Sequence, residues 1–168
     1  MTGYGTVASH LGLPDADLAS YVDMVDPVEA MAHMAKTPLI ADGDTGYDGL
    51  LNVHHAVHGY ERAGAAAIQL EDQEFPKKCG HMPDRRVIAA DEMVRKIAVA
   101  VEARTSPDFL IIARTDARTS LGVVRTSAPL YSFAEMNRPT GFEEVWRFDR
   151  AHAETRRQSD QGWSHKGG

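Results

Sequence analysis

The sequence has 168 residues and a formal net charge of −6, a length that suits one domain with a substantial core. Hydrophobic residues make up 43% and charged residues 25%, as in a globular protein, and the acidic balance argues against a nucleic acid partner. No apolar run approaches the roughly 18 residues that span a membrane, and the N-terminus lacks a secretory pattern, so we expect a cytoplasmic protein without a membrane partner.

Helices and short apolar runs alternate along the first 120 residues. The first predicted helix begins at Asp26, whose carboxylate can cap it, with Pro27 in its first turn. Residues 38–41 follow as an apolar run without alternation, which is typical of a strand buried on both faces.

A second helix and strand follow the first pair. Helical spacing predicts the helix through the apolar residues Leu50, Val53, Val57 and Tyr60. Gly64 stands where a C-terminal cap is expected, and residues 66–70 predict the second strand. The segment 72–90 is long for a connection between strand and helix, and it has the length of a functional lid.

The third pair completes the alternation. Its helix is predicted by the spacing of Met93, Ile97 and Val101. Asp91 and Glu92 suit its N-terminal end, and residues 109–113 predict the third strand. Alternation of this kind implies an α/β fold with parallel strands, helices packed outside them, and chemistry at the carboxyl ends of the strands. A (β/α)₈ barrel and a doubly wound open sheet both follow this rule, so placement alone does not choose between them.

The pattern changes after about residue 120. The acidic excess lies in residues 1–120, whereas residues 121–168 are slightly basic and contain both tryptophans. A possible short helix at 142–148 is the only element that this second part predicts. We therefore divide the chain into a catalytic region, 1–120, and an atypical, irregular tail, 121–168, which is weakly structured or foreign to the fold.

Acidic residues follow two of the predicted strands. Asp42 and Asp44 flank Gly43 after the first strand, and Glu71 follows the second. Two carboxylates on one turn can converge on a hard cation such as Mg²⁺, and Glu71 would face the same edge of the sheet. Aspartate and glycine are also ordinary turn formers, so a purely structural turn is the alternative. A calcium-binding helix–loop–helix interpretation fails, because Tyr47 occupies the position that requires glycine.

Two further residues carry candidate chemistry. Cys79, the single cysteine, stands between two lysines and His81, an electropositive setting that favours the thiolate and suits proton transfer. A loop cysteine without a role is the alternative. Arg114 directly follows the third strand, where its guanidinium suits a substrate carboxylate. A structural ion pair with Asp116 or Glu71 is the alternative for this arginine.

These segments resemble a known enzyme superfamily. The strings ADGDTGY (41–47), QLEDQ (69–73), PKKCGH (76–81) and IIARTDA (111–117) stand in the order and spacing of the isocitrate lyase / phosphoenolpyruvate mutase superfamily, in its 2-methylisocitrate lyase-like branch. Residues 2–15 resemble the loop and helix after the second barrel strand. The resemblance implies a (β/α)₈ TIM barrel, of which this chain has about strands two to five. It also implies an enzyme that uses Mg²⁺, with Mn²⁺ as the alternative, on a small carboxylic acid substrate.

The resemblance implies roles for individual residues. Asp42 and Asp44 match metal-binding aspartates, and Glu71 matches an acidic residue near the metal. Cys79 matches the catalytic cysteine of the lyase branch, and Arg114 matches a substrate-binding arginine that stabilises developing charge. The other residues implied in substrate binding are Thr2, Gly3, Tyr4, Gly80 and His81.

We therefore predict a Mg²⁺-dependent lyase with Cys79 as its acid/base. It would cleave a carbon–carbon bond in a 2-hydroxy or 2-keto di- or tricarboxylic acid such as 2-methylisocitrate. The mutase branch generally lacks this cysteine, which favours cleavage over phosphoryl rearrangement, whereas oxaloacetate-cleaving relatives keep it. An oxaloacetate-cleaving or a phosphoenolpyruvate mutase-type relative is the alternative.

The predicted enzyme is incomplete in this sequence. Members of the superfamily are larger and form homo-oligomers, and the first strand and strands six to eight have no counterpart here. A frameshift near Gly122 is one hypothesis for the change of character. We expect this truncated chain to be weakly active or inactive, and a non-catalytic remnant that binds metal or a partner chain is the alternative.

Overall fold

The computed structural model of the chain describes residues 1–79 and 82–117. The predictions made for Gly80, His81 and the tail, including the short helix at 142–148, lie outside these residues.

A parallel sheet of three strands organises the described residues, with β1 (Ile40–Asp42), β2 (Ala67–Glu71) and β3 (Leu110–Arg114) in the order β1-β2-β3. The helices are α1 (Gly3–Thr6), a π-helical turn (Val7–Leu11), α2 (Tyr21–Met34), α3 (Leu50–Arg62) and α4 (Ala90–Ala103). Helix α3 connects β1 to β2, and α4 connects β2 to β3. The predicted α/β alternation with parallel strands is confirmed, and each strand begins and ends one or two residues later than predicted.

Helix α2 begins earlier than predicted. We placed its start at Asp26, but it begins at Tyr21, and Pro27 lies inside it. Ser20 and Asp23 form a capping box, in which the Ser20 backbone N–H donates to Asp23 Oδ2 at 2.8 Å and the Asp23 backbone N–H donates to Ser20 Oγ at 3.3 Å. The prediction was wrong because this earlier cap and the burial of the α2 face outweigh the backbone hydrogen bond that the proline removes.

Helix α3 ends at Arg62, and Gly64 stands just beyond its C-cap residue, Ala63, where the sequence predicts a capping glycine. This glycine has a φ of 91°, in the left-handed region that favours glycine. Its N–H donates to Glu61 O at 3.1 Å, and the Ala65 N–H donates to Tyr60 O at 3.2 Å, which together satisfy two carbonyls of the last turn.

The hydrophobic core is formed by all three strands together with α2, α3 and α4. Its largest fully buried side chains are Tyr60, Met24, Ile68, Leu70, Met93, Ile97 and Ile111. The β1 edge of the sheet is less covered, since the Ile40 side chain is 53% exposed. Among the helices of residues 1–79 and 82–117, none combines the length and the apolar character needed to cross a membrane.

Candidate active site

One cavity of about 410 Å³ lies at the carboxyl ends of the strands. Asp42, Glu71 and Arg114, the last residues of β1, β2 and β3, contribute to its wall. The structure thus brings six of the predicted site residues around one space: Thr2, Tyr4, Asp42, Glu71, Cys79 and Arg114. Parallel strands end at the same edge of a sheet, which is why residues so distant in the sequence meet here.

The two aspartates of the β1 turn face the N-terminal segment. The Gly3 backbone N–H donates to Asp42 Oδ2 at 2.9 Å, and the Asp44 N–H donates to Asp42 Oδ1 at 3.2 Å. A Cβ atom at Gly3 would lie 3.0 Å from Asp42 Oδ2 and 3.1 Å from Asp44 Oδ1. Both carboxylates therefore converge on the backbone at Gly3, and the absence of a side chain there leaves room between them.

Asp44 is buried, with only 5% of its surface exposed, and it pairs with a lysine that sequence reasoning did not assign to the site. Lys77 Nζ forms ion pairs with Asp44 Oδ1 and, at 2.7 Å, with Asp15 Oδ1. Burial raises the pKa of Asp44 to about 6, although the Lys77 charge works in the opposite direction. Burial alone would lower the pKa of Lys77, but the contacts with Asp44 and Asp15 together raise it.

Glu71 faces basic and amide partners. Arg114 Nη1 lies 3.2 Å from Glu71 Oε2, and Gln73 Nε2 donates to Glu71 Oε1 at 2.9 Å. Arg114 Nη2 also contacts Asp116 Oδ2 at 3.1 Å. The structural ion pairs that we considered for Arg114 are therefore both present, and its side chain still reaches the cavity. Burial raises the pKa of Glu71 to about 7, against the lowering influence of Arg114 and Lys77.

The three predicted metal ligands do not form one cluster. Across the parts of the chain that the structure describes, no three Asp, Glu, His or Cys side chains lie close enough together to hold a metal ion. Both Glu71 carboxylate oxygens are engaged, one by Arg114 and the other by Gln73. Asp42 and Asp44 are neighbours, with Lys77 on Asp44 Oδ1, and a hard cation usually takes one or two protein carboxylates.

Residues behind the cavity fix the ends of β2 and β3. The Asp72 carboxylate accepts hydrogen bonds from the Thr115 hydroxyl and, at 2.8 Å, from the Asp116 backbone N–H. The buried Lys96 ammonium of α4 donates to the Glu71 carbonyl oxygen at 3.1 Å, and burial lowers the pKa of this lysine. Sequence reasoning missed Lys96, although it is three residues from buried Met93 on the same face of α4.

Gly43 allows the β1 turn to approach β2 closely. Its N–H donates to Gln69 O at 2.8 Å, and an added Cβ would lie 2.6 Å from Ile68 Cγ1 and 3.0 Å from Gln69 O. We expect Gly43→Ala to lower the free energy of unfolding by about 1–3 kcal/mol through overpacking. Chemical denaturation measures this change. Gly49→Ala is the comparison variant, because nothing lies within 4 Å of its Cβ position and only the N-cap of α3 changes, so its loss should be smaller. An equal loss in both variants would contradict the explanation.

Comparison with known proteins identifies the family. The family model described as phosphoenolpyruvate phosphomutase matches residues 1–135. The chain belongs to this family, within the phosphoenolpyruvate mutase/isocitrate lyase superfamily. The predicted family resemblance is thus confirmed. Among relatives, 2,3-dimethylmalate lyase of Eubacterium barkeri is 54% identical over 123 residues, which cover 73% of this chain and 43% of that protein.

Solved structures of other superfamily members resemble the structure of this chain. Oxaloacetate acetylhydrolase in complex with the inhibitor 3,3-difluorooxalacetate has a TM-score of 0.78 and 41% sequence identity, over 81% of this chain and 47% of that chain. Phosphonopyruvate hydrolase in complex with oxalate and Mg²⁺ has a TM-score of 0.72 and 34% identity, over 80% of this chain and 46% of that chain. The chain therefore spans about half the length of the relatives that it matches.

Proposed function

We propose that this chain carries the metal-binding and catalytic half of a Mg²⁺-dependent carbon–carbon lyase. The substrate would be a small 2-hydroxy or 2-keto di- or tricarboxylic acid, such as 2-methylisocitrate or a dimethylmalate. The observation that carries this proposal is the shared cavity, in which carboxylates, a thiol and a guanidinium face one space at the strand ends. We also propose that β1, β2 and β3 are three successive strands of a (β/α)₈ barrel, with residues 1–120 as its catalytic region.

Asp42 and Asp44 are the residues that would hold Mg²⁺, or Mn²⁺ in its place. Their oxygens are hard donors that converge beside Gly3, where no side chain fills the space between them. Glu71 would act in the outer shell of the metal ion, where its hydrogen bond from Gln73 holds its carboxylate in place. When bound, the ion would act as a Lewis acid toward substrate oxygen atoms.

The other residues bind substrate and move a proton. Arg114 presents a guanidinium to the cavity for a substrate carboxylate, and Thr2 and Tyr4 line the same space. Cys79 is half-buried at the wall of the cavity. Cleavage would release the proton of the substrate hydroxyl and leave a carbanion, which the Cys79 thiol would protonate, and the released proton would then restore the thiol. The predicted roles of Gly80 and His81 in substrate binding stay predictions.

Oxaloacetate cleavage is the second candidate. It is favoured by the similarity to oxaloacetate acetylhydrolase, at 41% identity and a TM-score of 0.78. The products separate the two candidates, because cleavage of a methylisocitrate or dimethylmalate releases pyruvate whereas cleavage of oxaloacetate releases oxalate. Assaying both products from each acid, with Mg²⁺ present, therefore decides between them.

Replacement of Cys79 by serine tests the lyase mechanism. We expect weak product release by the chain, and a further fall of roughly 10²- to 10⁴-fold in Cys79→Ser, because a hydroxyl is a far weaker proton donor than a thiol. A coupled assay for pyruvate, run beside a direct assay for oxalate, measures the rates. Equal rates in both proteins would refute the role of Cys79. Retained Mg²⁺ binding without any product would instead favour a non-catalytic remnant.

A further inference from the structure

The segment that carries Cys79 belongs to no helix or strand, and side chains hold its backbone. The Lys77 N–H donates to Asp17 Oδ2 at 2.7 Å, and the Lys78 N–H donates to Gln73 Oε1 at 3.2 Å. These are the two residues directly before Cys79. Gln73 belongs to the same connection, whereas Asp17 lies 60 positions earlier in the chain. The Asp17 carboxylate therefore ties this backbone to the segment that precedes α2.

Asp17 is held in an uncommon backbone conformation for this contact. Its φ is 62°, in the left-handed region, which aspartate tolerates better than most residues. Its carboxyl is half-buried, and burial raises its pKa although the Lys77 N–H and the Lys77 charge lower it. A carboxylate accepting a backbone N–H at 2.7 Å is a charge-assisted hydrogen bond, which is stronger than a neutral one.

We propose that Asp17 is a positioning residue for Cys79: its carboxylate holds the backbone at Lys77 and thereby fixes where the thiol meets the cavity. The catalytic importance of this placement rests on the proposed function of Cys79. The placement itself does not rest on that function, because it concerns only the hydrogen bond from the Lys77 N–H to Asp17 and the position of the Cys79 thiol. Asp15 contacts the side chain of Lys77 and not its backbone. It would therefore not replace the hydrogen bond to the Lys77 N–H if the Asp17 carboxylate were removed.

The test compares two substitutions that suit the left-handed backbone. Asp17→Gly removes the acceptor, whereas Asp17→Asn keeps an acceptor oxygen and removes the charge. The readout is the rate of alkylation by iodoacetamide, which reports one site because Cys79 is the single cysteine. Asp48→Gly is the matched control, since Asp48 is an exposed aspartate with a φ of 89° outside the Cys79 segment.

We expect Asp17→Gly to accelerate alkylation by roughly tenfold, the change in local opening that loss of a charge-assisted hydrogen bond allows. Asp17→Asn is expected to accelerate alkylation by about threefold, because it keeps the acceptor at Lys77 and loses its charge. Asp48→Gly is expected to stay within about twofold of the unsubstituted chain, since Asp17 is unchanged in it. An unchanged rate in Asp17→Gly, or an equal rise in Asp48→Gly, would overturn the proposal. If Asp17→Gly does not fold, the rate of hydrogen exchange at the Lys77 amide is measured in the unsubstituted chain. Slow exchange supports the contact with Asp17, and exchange as fast as in an unfolded chain refutes it.

Alkylation needs no turnover, so the two proposals can fail separately. A chain without lyase activity whose Cys79 still responds to Asp17→Gly would refute the proposed function and keep the positioning role. If the chain is active and Asp17→Gly changes neither the alkylation rate nor the turnover, the positioning role is refuted and the proposed function is kept.

Discussion

Asp42→Asn is expected to lower the affinity of the chain for Mg²⁺ by roughly 100-fold or more, because loss of even an outer-shell partner costs about 10- to 100-fold. The substitution replaces a charged oxygen that lies beside both Gly3 and Asp44. An asparagine oxygen can still accept the hydrogen bond from the Gly3 N–H, whereas its NH₂ group cannot accept the one from the Asp44 N–H, so circular dichroism must first show that the variant is folded. Isothermal titration with Mg²⁺, repeated with Mn²⁺, measures the affinity.

Asp108→Asn serves as the control for this titration, because Asp108 is an exposed aspartate away from the cavity. Its affinity for Mg²⁺ should equal that of the unsubstituted chain. If Asp42→Asn bound Mg²⁺ as tightly as this control, the β1 turn would not be the metal site, and the proposal for Asp42 would have to be abandoned.

Lys77→Met is expected to lower the free energy of unfolding by about 3–5 kcal/mol, because removal of one partner leaves buried carboxylates without a counter-charge. The carboxylates are those of Asp44 and Asp15, and all three side chains are less than a tenth exposed. Methionine has a similar length and no charge, so the substitution tests the ion pairs rather than the packing. Urea denaturation followed by circular dichroism measures the change.

The neighbouring residue offers the matched control. Lys78 is exposed, and its ammonium contacts only the Asp84 carbonyl oxygen, at 3.1 Å, among the hydrogen bonds of the described residues. Lys78→Met should therefore change the unfolding free energy by no more than about 0.5 kcal/mol. A similar loss in both variants would show that the effect comes from the loop sequence and not from the buried ion pairs.

The elements that could be predicted from the sequence are those with a local signal. The three strands follow from apolar runs that end in charged residues, and the end of α3 follows from Gly64. The start of α2 was missed because Asp26 followed by Pro27 is a strong start signal, whereas the capping pair of Ser20 and Asp23 was overlooked. That pair could have been found, since serine followed three residues later by an acid is a recognised start signal.

The sequence predicted that several cavity residues would lie together, but it did not indicate the buried ion pairs of Lys77. Asp42, Glu71 and Arg114 were expected at one edge because each ends a parallel strand. Nothing local indicates that Lys77 pairs with Asp44 and Asp15, which lie far earlier in the sequence. A lysine in a polar loop is ordinarily solvent-exposed, and only the folded arrangement shows its burial.

The walls of the cavity come from segments spread between Met1 and Arg114. The pocket consequently exists only in the folded chain, and any ligand that occupies it shifts the folding equilibrium by mass action. A free ligand concentration of one hundred times the dissociation constant raises the free energy of unfolding by about 2.7 kcal/mol. A thermal melt in the presence of candidate acids would thus rank them by affinity without a single catalytic cycle.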